Sequence, residues 1–461
     1  MLEIGLFHNG ATDLPLKRTQ TGMVLPSGTL EDMHRSNQRV VQNQVAQGVL
    51  AEKLGFDYFW MTEHHFQPEG AEFSPNPMTV QTAVAAQTSR IRLGQYANII
   101  TWWNPVRFAE QAAMLDVISN GRLECGVGRG YQPRENETFG RNYGSTIQDQ
   151  ERNRAAYEEA YEIILKAWTE PSFSHRGENF SIPPTYTKWH HAQTMELFSQ
   201  PGYGRALEQV LKVGKPDLYS GGNPVVASTT ILKEISVFPQ PLQKPYPQLW
   251  MPLTSERSIR FAAAQGMNGG FIAEPIWRLK INFAHYYDEA EKRGWPDRLN
   301  RGKFKFGWDA EKRRGLIVAR MTHIMKDPNN RQELARVALG AELGWSYYGG
   351  FGFAPLLANP DEKFAADMRV PFELLRDRGV ALVGTAEQVA EKILHIKHEV
   401  GFGDDFNFVA WLELGGFAAG EIEEQMHLFA EQVVPILRRE CGESPWAKQQ
   451  ADGVAAVGAT R

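Results

Sequence analysis

Residues 58–66 read Tyr-Phe-Trp-Met-Thr-Glu-His-His-Phe, and this stretch decides how the rest of the chain is interpreted. Its first five residues form a short apolar run rich in aromatic side chains, which is typical of a strand covered on both faces. Glu63, His64 and His65 follow where that strand would end. Because catalytic groups gather at the carboxyl ends of the strands in a parallel α/β barrel, the stretch predicts a functional site there.

Strand-like and helix-like segments alternate on both sides of this stretch, which predicts βαβ units and a parallel sheet. Strands are predicted at 2–7, 58–62, 91–97, 123–127, 248–252, 269–272, 315–322 and 407–412. Helices are predicted at 36–54, 77–88, 105–118, 148–168, 255–265, 276–293, 386–399 and 419–439. Eight strands match a (β/α)8 TIM-type barrel, although an open doubly wound sheet would give the same alternation.

Two regions break the alternation. Residues 171–247 are rich in Gly, Pro, His and Tyr, and residues 341–378 include Gly-Gly-Phe-Gly-Phe at 349–353. Segments this long without regular structure usually form lids or binding loops. We interpret both as insertions over the carboxyl-terminal face of a single barrel domain, residues 1–443, and we predict a disordered tail at 444–461.

Composition limits the possible classes of protein. The apolar and charged fractions, 42% and 22%, are those of an ordinary globular protein, and the net charge of -5 argues against nucleic acid as a partner. Two cysteines indicate no disulfide framework. No secretory signal pattern and no apolar stretch of about 20 residues is visible, so we expect a cytoplasmic protein without a membrane partner.

Two segments besides 58–66 could carry chemistry. An imidazole titrates near neutrality, so His64 can accept or supply a proton, whereas the spacing of a His-Glu-x-x-His zinc site is absent. The glycines of 126–131, Gly-Val-Gly-Arg-Gly-Tyr, would let the backbone approach an anion while Arg129 donates to it. Ser255 and Ser258 suit either an anion site at a helix start or simple capping. Arg154 is a further cationic candidate, unless it is an ordinary solvated helix residue.

Many short motifs agree in order with one family. They are Trp-Met-Thr-Glu-His-His-Phe at 60–66, Asn-Pro at 76–77, Ile-Arg-Leu-Gly at 91–94, Asn-Pro-Val-Arg-Phe-Ala-Glu at 104–110, Ser-Asn-Gly-Arg-Leu at 119–123, Gly-Val-Gly-Arg-Gly-Tyr at 126–131 and Val-Gly-Thr-Ala-Glu-Gln-Val at 383–389. With this set, the chain resembles the bacterial luciferase-like flavin monooxygenases, in particular the luciferase α-subunit-like branch. The resemblance covers the chain apart from the two insertions and the tail.

The resemblance implies a TIM-type barrel that binds reduced flavin mononucleotide (FMN) at the carboxyl ends of its strands. Arg129 and Arg154 would hold the flavin phosphate, and Ser255 and Ser258 would donate to it from a helix start. The remaining implied residues are catalytic His64 and Glu135, flavin contacts Glu63, Tyr96, Ala97 and Tyr131, and substrate-pocket residues Phe66, Trp102 and Trp103. Tyr96-Ala97 falls where the family often has a non-prolyl cis peptide. Gly128 replaces the reactive cysteine of luciferase itself, and core packing is the alternative role for the aromatic residues.

The resemblance also implies a reaction. Reduced FMN and O2 would form a C4a-(hydro)peroxyflavin that oxygenates a small organic substrate, with FMNH2 supplied by a separate flavin reductase to a homodimer of this chain. The insert around Trp189, His190, His191, Tyr203 and Tyr219 would set specificity for a bulky aromatic or apolar substrate. No metal is expected.

Three other functions stay open on the sequence. The same fold could use the deazaflavin F420 for hydride transfer, or it could bind flavin without catalysis. A TIM-barrel metal hydrolase would require His64 and His65 to converge with distant acids such as Asp404 or Asp405.

Overall fold

The computed structural model describes residues 1–215, 228–293, 308–310 and 313–442. The chain divides into two compact units. The first, which we call the barrel unit, comprises residues 1–98, 122–127 and those from 248 onward, and the second unit comprises residues 99–121 and 128–247. Each is described by itself below.

Eight parallel strands of the described residues close into a barrel. They are β1 (Leu2–His8), β2 (Tyr58–Met61), β3 (Arg92–Gln95), β4 (Leu123–Gly128), β5 (Gln248–Pro252), β6 (Asn268–Phe271), β7 (Arg314–Ile324) and β8 (Phe406–Trp411). Each strand pairs with the next along the chain, and β8 returns to β1, with Leu2 opposite Phe406. The closed ring confirms the predicted (β/α)8 TIM-type barrel and rules out the open sheet.

Two predicted strands differ from the structure by two residues at their carboxyl ends, and the others agree to within one residue at each end. The strand predicted at 91–97 ends at Gln95, directly before a cis peptide bond between Tyr96 and Ala97. The strand predicted at 315–322 continues to Ile324, because a short additional strand, Ala381–Gly384, pairs with its last residues. The cis peptide bond itself was expected at this position and is confirmed.

The helices of the barrel unit alternate with its strands. They are α1 (Leu30–Lys53), α2 (Pro77–Ala85), α8 (Glu256–Gln265), α9 (Ile276–Lys292), α10 (Arg331–Tyr348), α11 (Phe372–Asp377), α12 (Ala386–Val400), α13 (Ala419–Leu428) and α14 (Val434–Cys441). The helices of the second unit are α3 (Pro105–Ile118), α4 (Pro133–Phe139), α5 (Gln150–Thr169), α6 (Ala192–Phe198) and α7 (Leu207–Val210). Helix α1 begins six residues before its predicted start at residue 36, because Thr29 and Asp32 form a capping box that the prediction overlooked. The helix predicted at 419–439 is interrupted by a π-helical turn, Phe429–Val433.

Aromatic side chains and buried acids, Glu124 among them, fill the amino end of the barrel. The rings of Trp60 and Trp250 lie 4.7 Å apart, and those of Trp250 and Trp308 lie 5.5 Å apart. Glu124 is fully buried and accepts a hydrogen bond of 2.7 Å from Trp250 Nε1. Arg92 and Arg313 both form ion pairs with the same carboxylate. This end of the barrel is therefore a packed and charge-neutralised core.

The second unit is built on α3 and α5, which are joined by a hydrogen bond of 2.9 Å from Trp168 Nε1 to the carbonyl of Ala109. The interval 171–247 was expected to lack regular structure. Its described residues instead carry α6, α7 and two short antiparallel strand pairs, His175–Arg176 with Ser181–Ile182 and Leu211–Lys212 with Ile231–Leu232. Tyr219 lies outside the described residues.

The interval 341–378 also differs from the expectation of an irregular segment. Its first eight residues complete α10, and α11 lies near its end. Glu342 of α10 fixes this arrangement, because its buried carboxylate accepts from the backbone N–H of Phe372 at 3.0 Å and pairs with Arg18. The assignment of residues 1–443 to one domain with two insertions stays a prediction, and the predicted tail at 444–461 lies outside the described residues.

Candidate active site

His64 lies directly beyond the carboxyl end of β2, where the sequence placed it. Its backbone is fixed by a two-way exchange with Ser74: His64 N–H donates to the Ser74 carbonyl at 3.0 Å, and Ser74 N–H donates back at 3.3 Å. The residue is only 9% exposed. The loop after β2 therefore returns on itself and holds the imidazole in a defined position.

The partner of His64 is a carboxylate that the sequence analysis missed. Glu72 Oε2 lies 3.2 Å from His64 Nε2 and accepts from Asn9 Nδ2 at 3.3 Å and from the Tyr348 hydroxyl at 3.0 Å. Its Oε1 accepts from Gln67 Nε2 at 3.0 Å. Glu72 is 1% exposed. Its position in an irregular loop gave no periodic signal, although a lone acid between apolar and small residues could have drawn attention to it.

A second buried acid lies at the same end of the barrel. Glu413, just beyond β8, accepts from the backbone N–H groups of Asn9 at 3.0 Å and Gly10 at 3.3 Å, and its carboxylate pairs with the N–H of Ala11. His8 Nδ1 lies 3.7 Å away. Burial raises the pKa of the Glu413 carboxyl, and the nearby His8 charge opposes that shift. Glu413 therefore fixes the loop that carries Asn9.

The cis peptide at the end of β3 adjoins a buried polar cluster. Burial and the nearby charge of Glu274 raise the pKa of the Tyr96 phenol well above its usual value. Burial also raises the pKa of the Glu274 carboxyl and lowers that of Arg320 to about 10. The Arg320 guanidinium donates to the carbonyls of Ala319 at 2.8 Å and Glu274 at 2.7 Å. The signal for this cluster was a single arginine within the apolar run of β7.

Two glycines of 126–131 are required by packing within the protein. A Cβ at Gly126 would lie 1.7 Å from the carbonyl oxygen of Gln95. Gly130 has a φ of +72°, and a Cβ there would lie 2.8 Å from the indole of Trp102. Their spacing therefore has a steric reason besides the approach to an anion that the sequence suggested.

Ser255 and Ser258 form a capping box at the start of α8. The Ser255 hydroxyl accepts from Ser258 N–H at 3.3 Å, and the Ser258 hydroxyl donates to the Ser255 carbonyl at 2.8 Å. The capping role, which the sequence left as one of two alternatives, is thus present in the structure. Their contribution to phosphate binding stays a prediction.

In the second unit, Arg129 is held against the first turn of α5. Its Nη1 donates to Asn153 Oδ1 at 3.0 Å, and Asn153 Nδ2 donates back to the Arg129 carbonyl at 3.1 Å and to the Ser145 hydroxyl at 2.8 Å. Arg154, the next residue of the helix, is 9% exposed. The structure therefore brings the two predicted phosphate-binding arginines to one helix start, and Asn153 is the orienting residue that the sequence analysis missed.

Glu135 and Trp102 also lie in the second unit. Glu135 is fully buried in α4. The Trp102 indole is buried, donates through Nε1 to Asn136 Oδ1 at 3.0 Å, and packs against Phe139. Gln132 Nε2 donates to the Tyr131 hydroxyl at 3.2 Å. These contacts tie the segment around α4 together, and the packing role for Trp102 is visible in them.

The remaining predicted residues differ in exposure. Glu63 is buried, and its Oε1 lies 3.4 Å from His65 Nε2. Phe66 is 44% exposed, has a φ of +57°, and its ring lies 5.6 Å from that of His65. Trp103 is half-buried, with its ring edge-on to that of Phe108 at 6.1 Å. Phe66 is thus the most exposed of the predicted pocket residues.

The alternative metal site of a hydrolase is not formed. Asp404 and Asp405 precede β8 at the amino end of the barrel, whereas His64 and His65 follow β2 at the carboxyl end. Asp405 instead accepts from the N-terminal ammonium at 3.2 Å and from Ala310 N–H at 3.1 Å. Across residues 1–215, 228–293, 308–310 and 313–442, no cluster of three potential metal-binding side chains is found.

The described part of the chain contains no helix that is both long and apolar enough to cross a membrane. The histidine–carboxylate pair lies at the carboxyl end of a closed parallel barrel. In TIM-barrel enzymes this is the end that carries the active site. Residues 19–223 match the model of the luciferase-like monooxygenases. Over this range the chain is similar to the luciferase-like monooxygenases, in agreement with the resemblance that its motifs carry.

Individual proteins are also similar to this chain. An uncharacterized protein of Sinorhizobium fredii is 36% identical over 152 residues, which cover 33% of this chain and 41% of that protein. The chain thus spans less than half of that relative. The oxygenase component of a flavin-dependent trigonelline monooxygenase from Acinetobacter baylyi is 24% identical over 376 residues, covering 79% of this chain and 81% of that one.

A solved structure shares the fold over nearly the whole chain. The oxygenating constituent of 3,6-diketocamphane monooxygenase from Pseudomonas putida, a type II Baeyer–Villiger monooxygenase in complex with FMN, superposes with a TM-score of 0.64. The two chains are 17% identical, and the match covers 95% of this chain and 99% of that one. At this identity the likeness establishes the fold alone.

Proposed function

We propose that this chain is the oxygenase component of a two-component flavin-dependent monooxygenase. It would use reduced FMN and O2 to place one oxygen atom into a small organic substrate. The proposal rests above all on one observation: in a luciferase-like barrel, His64 is held by a buried carboxylate at the carboxyl ends of the strands. The kinship with a flavin-dependent oxygenase component supports the same function.

In this proposal His64 is the group that holds or moves a proton at the reacting centre. Reduced FMN, when bound, supplies the electrons that activate O2. An imidazole is suited to the task because it changes protonation near neutral pH. The burial of His64 and of Glu72 also limits the access of water, which would otherwise compete for activated oxygen.

The proposed phosphate-binding residues fit a dianion. Arg129 and Arg154 offer two guanidinium groups at the start of α5, and guanidinium forms charge-assisted hydrogen bonds with phosphate oxygens. Asn153 fixes the orientation of Arg129. Ser255 and Ser258 are proposed as further donors from the start of α8, with their backbone N–H groups as well as their hydroxyls.

The other site residues are assigned on the resemblance. Glu63, Tyr96, Ala97 and Tyr131 are proposed to contact the flavin, and Glu135 to act as the second catalytic group. Phe66, Trp102 and Trp103 are proposed for the substrate pocket, of which Phe66 is the most exposed. Bulky organic molecules that are partly aromatic or apolar are the proposed substrate class.

A separate flavin reductase is the proposed partner, and the chain is proposed to form a homodimer. The relative from Acinetobacter baylyi is itself described as an oxygenase component, which supports a partner reductase. Turnover of NADH and FMN by the purified chain should therefore be slow, and addition of any FMN reductase should raise it. Efficient NADH oxidation without a reductase would contradict this part of the proposal.

The decisive experiment is anaerobic mixing of the chain with reduced FMN, followed by a rapid jump to oxygenated buffer. We expect a transient absorbing species that is neither reduced nor oxidised FMN, and we expect His64→Ala to shorten its lifetime or abolish it. His323→Ala is the matched control. His323 is also buried and paired with a glutamate, but it is not one of the proposed site residues.

The same experiment distinguishes the other flavin functions. Tight FMN binding with direct oxidation and no transient would contradict the monooxygenase and favour a flavin-binding role. Preference for F420 over FMN in parallel titrations would favour the deazaflavin oxidoreductase.

A further inference from the structure

We infer that Glu72 is a positioning residue that fixes His64 in the tautomer protonated at Nε2, so that Nδ1 is the atom that takes up a proton. The inference rests on the proposed function for its consequence in catalysis. Its geometric part depends only on contacts within the barrel unit.

The first step is the hydrogen-bond chemistry of the pair. An ionised carboxylate only accepts hydrogen bonds, and a neutral imidazole carries its proton on one nitrogen. Glu72 Oε2 lies 3.2 Å from His64 Nε2. Donation from His64 to this carboxylate requires the proton on Nε2, and in a neutral imidazole it leaves the basic lone pair on Nδ1.

The second step is that Glu72 itself has little freedom to move or rotate. Its two oxygens accept from Asn9 Nδ2 at 3.3 Å, from the Tyr348 hydroxyl at 3.0 Å and from Gln67 Nε2 at 3.0 Å. These three donors come from three separate segments of the barrel unit, the end of β1, the end of α10 and the loop after β2. Amide nitrogens and a phenol are neutral, so they solvate the carboxylate without cancelling its charge.

The third step concerns the protonation of Tyr348. Burial, followed by the charge of Glu72, raises the pKa of the Tyr348 phenol well above its usual value. The phenol therefore keeps its proton near neutral pH and donates to Glu72. Besides Glu72 and Tyr348, the ionisable side chains around this cluster in the barrel unit include the Glu63–His65 pair and Glu413.

The position of Tyr348 links a distant segment to the candidate base. Tyr348 is the last residue of α10, and the aromatic segment Gly349–Phe351 follows at once. The ring of Tyr348 lies edge-on to that of Phe353 at 6.4 Å. The segment after α10 is thus connected to His64 through Tyr348 and Glu72. A displacement of this segment would change the hydrogen bond from Tyr348 to Glu72 and so the surroundings of the imidazole.

The tautomer is directly measurable. In protein labelled with ¹⁵N at the histidine ring, the two ring nitrogens of a neutral imidazole differ in chemical shift according to which one is protonated, and His64→Gln identifies the His64 signals. We expect wild-type His64 to be protonated at Nε2 when neutral. A neutral His64 protonated at Nδ1 would overturn the inference without any further variant.

Glu72→Gln tests the role of the carboxylate. Loss of the negative charge should lower the pKa of His64, because a neighbouring carboxylate favours imidazolium, so the acid limb of the pH–rate profile should move to lower pH by about one unit. We expect kcat to fall by about tenfold to a hundredfold, within the range of a proton-transfer contribution. Glu72→Asp keeps the charge and should leave the acid limb near its wild-type position.

A matched change separates this role from general disturbance. Glu333→Gln removes the carboxylate that lies 2.9 Å from Nε2 of another buried histidine, His323, and should leave both kcat and the pH profile unchanged. A fall in kcat for Glu72→Gln with no shift of the acid limb and no change in the His64 signals would reduce Glu72 to a structural residue. If the chain proves not to oxygenate any substrate, the ring-nitrogen signals still decide whether Glu72 sets the tautomer.

Discussion

Two buried glutamates, one at each end of the barrel, have opposite kinds of hydrogen-bond and ion-pair partners. Glu124 at the amino end is paired with two arginines, Arg92 and Arg313, and with an indole N–H. Glu72 at the carboxyl end is surrounded by two amides, a phenol and the imidazole of His64. Of these partners only the imidazole changes its charge near neutral pH.

The different partners of the two glutamates suit different roles: those of Glu124 suit stability, and those of Glu72 suit proton transfer. Permanent cations compensate the charge of the Glu124 carboxylate, so this acid serves packing at its end of the barrel. Neutral donors leave the charge of Glu72 available to act on His64. A buried carboxylate becomes useful for proton transfer when its neighbours solvate it without cancelling its charge.

The largest effect is expected at the carboxyl end. His64→Ala should lower kcat for substrate oxygenation by about 10²–10⁴-fold, the usual contribution of a positioned acid–base group, because it removes the proposed proton carrier. Steady-state turnover with an external FMN reductase measures it. Turnover equal to that of the wild type would show that His64 takes no part in the reaction.

At the amino end the loss should be one of stability. Glu124→Gln leaves two guanidinium groups that are only 13% and 16% exposed without their counter-charge, so the free energy of unfolding should fall by up to about 3–5 kcal/mol. Denaturant titration checks this value. In the protein that remains folded, kcat should match wild type, and a large fall in kcat with intact stability would show that the two ends are not separated as described.

Phosphate binding tests the second unit. Arg129→Met removes a charge-assisted hydrogen-bond donor and should weaken FMN binding about tenfold to a hundredfold, since such bonds contribute about 1.5–3 kcal/mol. Arg107→Met is the matched control, because Arg107 is 70% exposed on α3 of the same unit. Riboflavin, which has no phosphate, should bind both variants and the wild type equally, and an equal loss of riboflavin affinity would exclude a phosphate contact.

The smallest effect is expected for one donor to Glu72. Tyr348→Phe removes the hydroxyl and retains the ring, and a single hydrogen bond to a charged group contributes about 1.5–3 kcal/mol at most. With two amides still in place, we expect kcat to fall only a few-fold and the acid limb of its pH profile to move slightly to higher pH. A loss as large as that of His64→Ala would give Tyr348 a role of its own in catalysis.

Local sequence signals predicted the strands well and the supporting residues poorly. The eight barrel strands were found because each is a short apolar run between helical patterns. This signal does not depend on the length or sequence of the loops. His64 was found because it follows such a run. Glu72, Asn9 and Tyr348 come from three separate segments, so no spacing in the sequence announces that they meet.

Steric requirements were equally invisible. The sequence offered the glycines at 126 and 130 as places for an anion, but the reason for Gly126 is the carbonyl of Gln95 on the neighbouring strand. Such a contact depends on the barrel register, which local patterns do not contain. Arg320 had a visible signal, an arginine within an apolar strand, but its carbonyl partners follow only from the closed sheet.

The pairing of β1 with β8 has a consequence for synthesis of the protein. Leu2 lies beside Phe406, so the first strand waits for one of its two neighbours until almost the whole barrel has left the ribosome. At roughly 5–20 residues per second this interval lasts on the order of 20–80 s. Throughout it, an apolar strand edge is open to other nascent chains, and chaperones that shield such edges should determine the yield of this protein more than its final stability does.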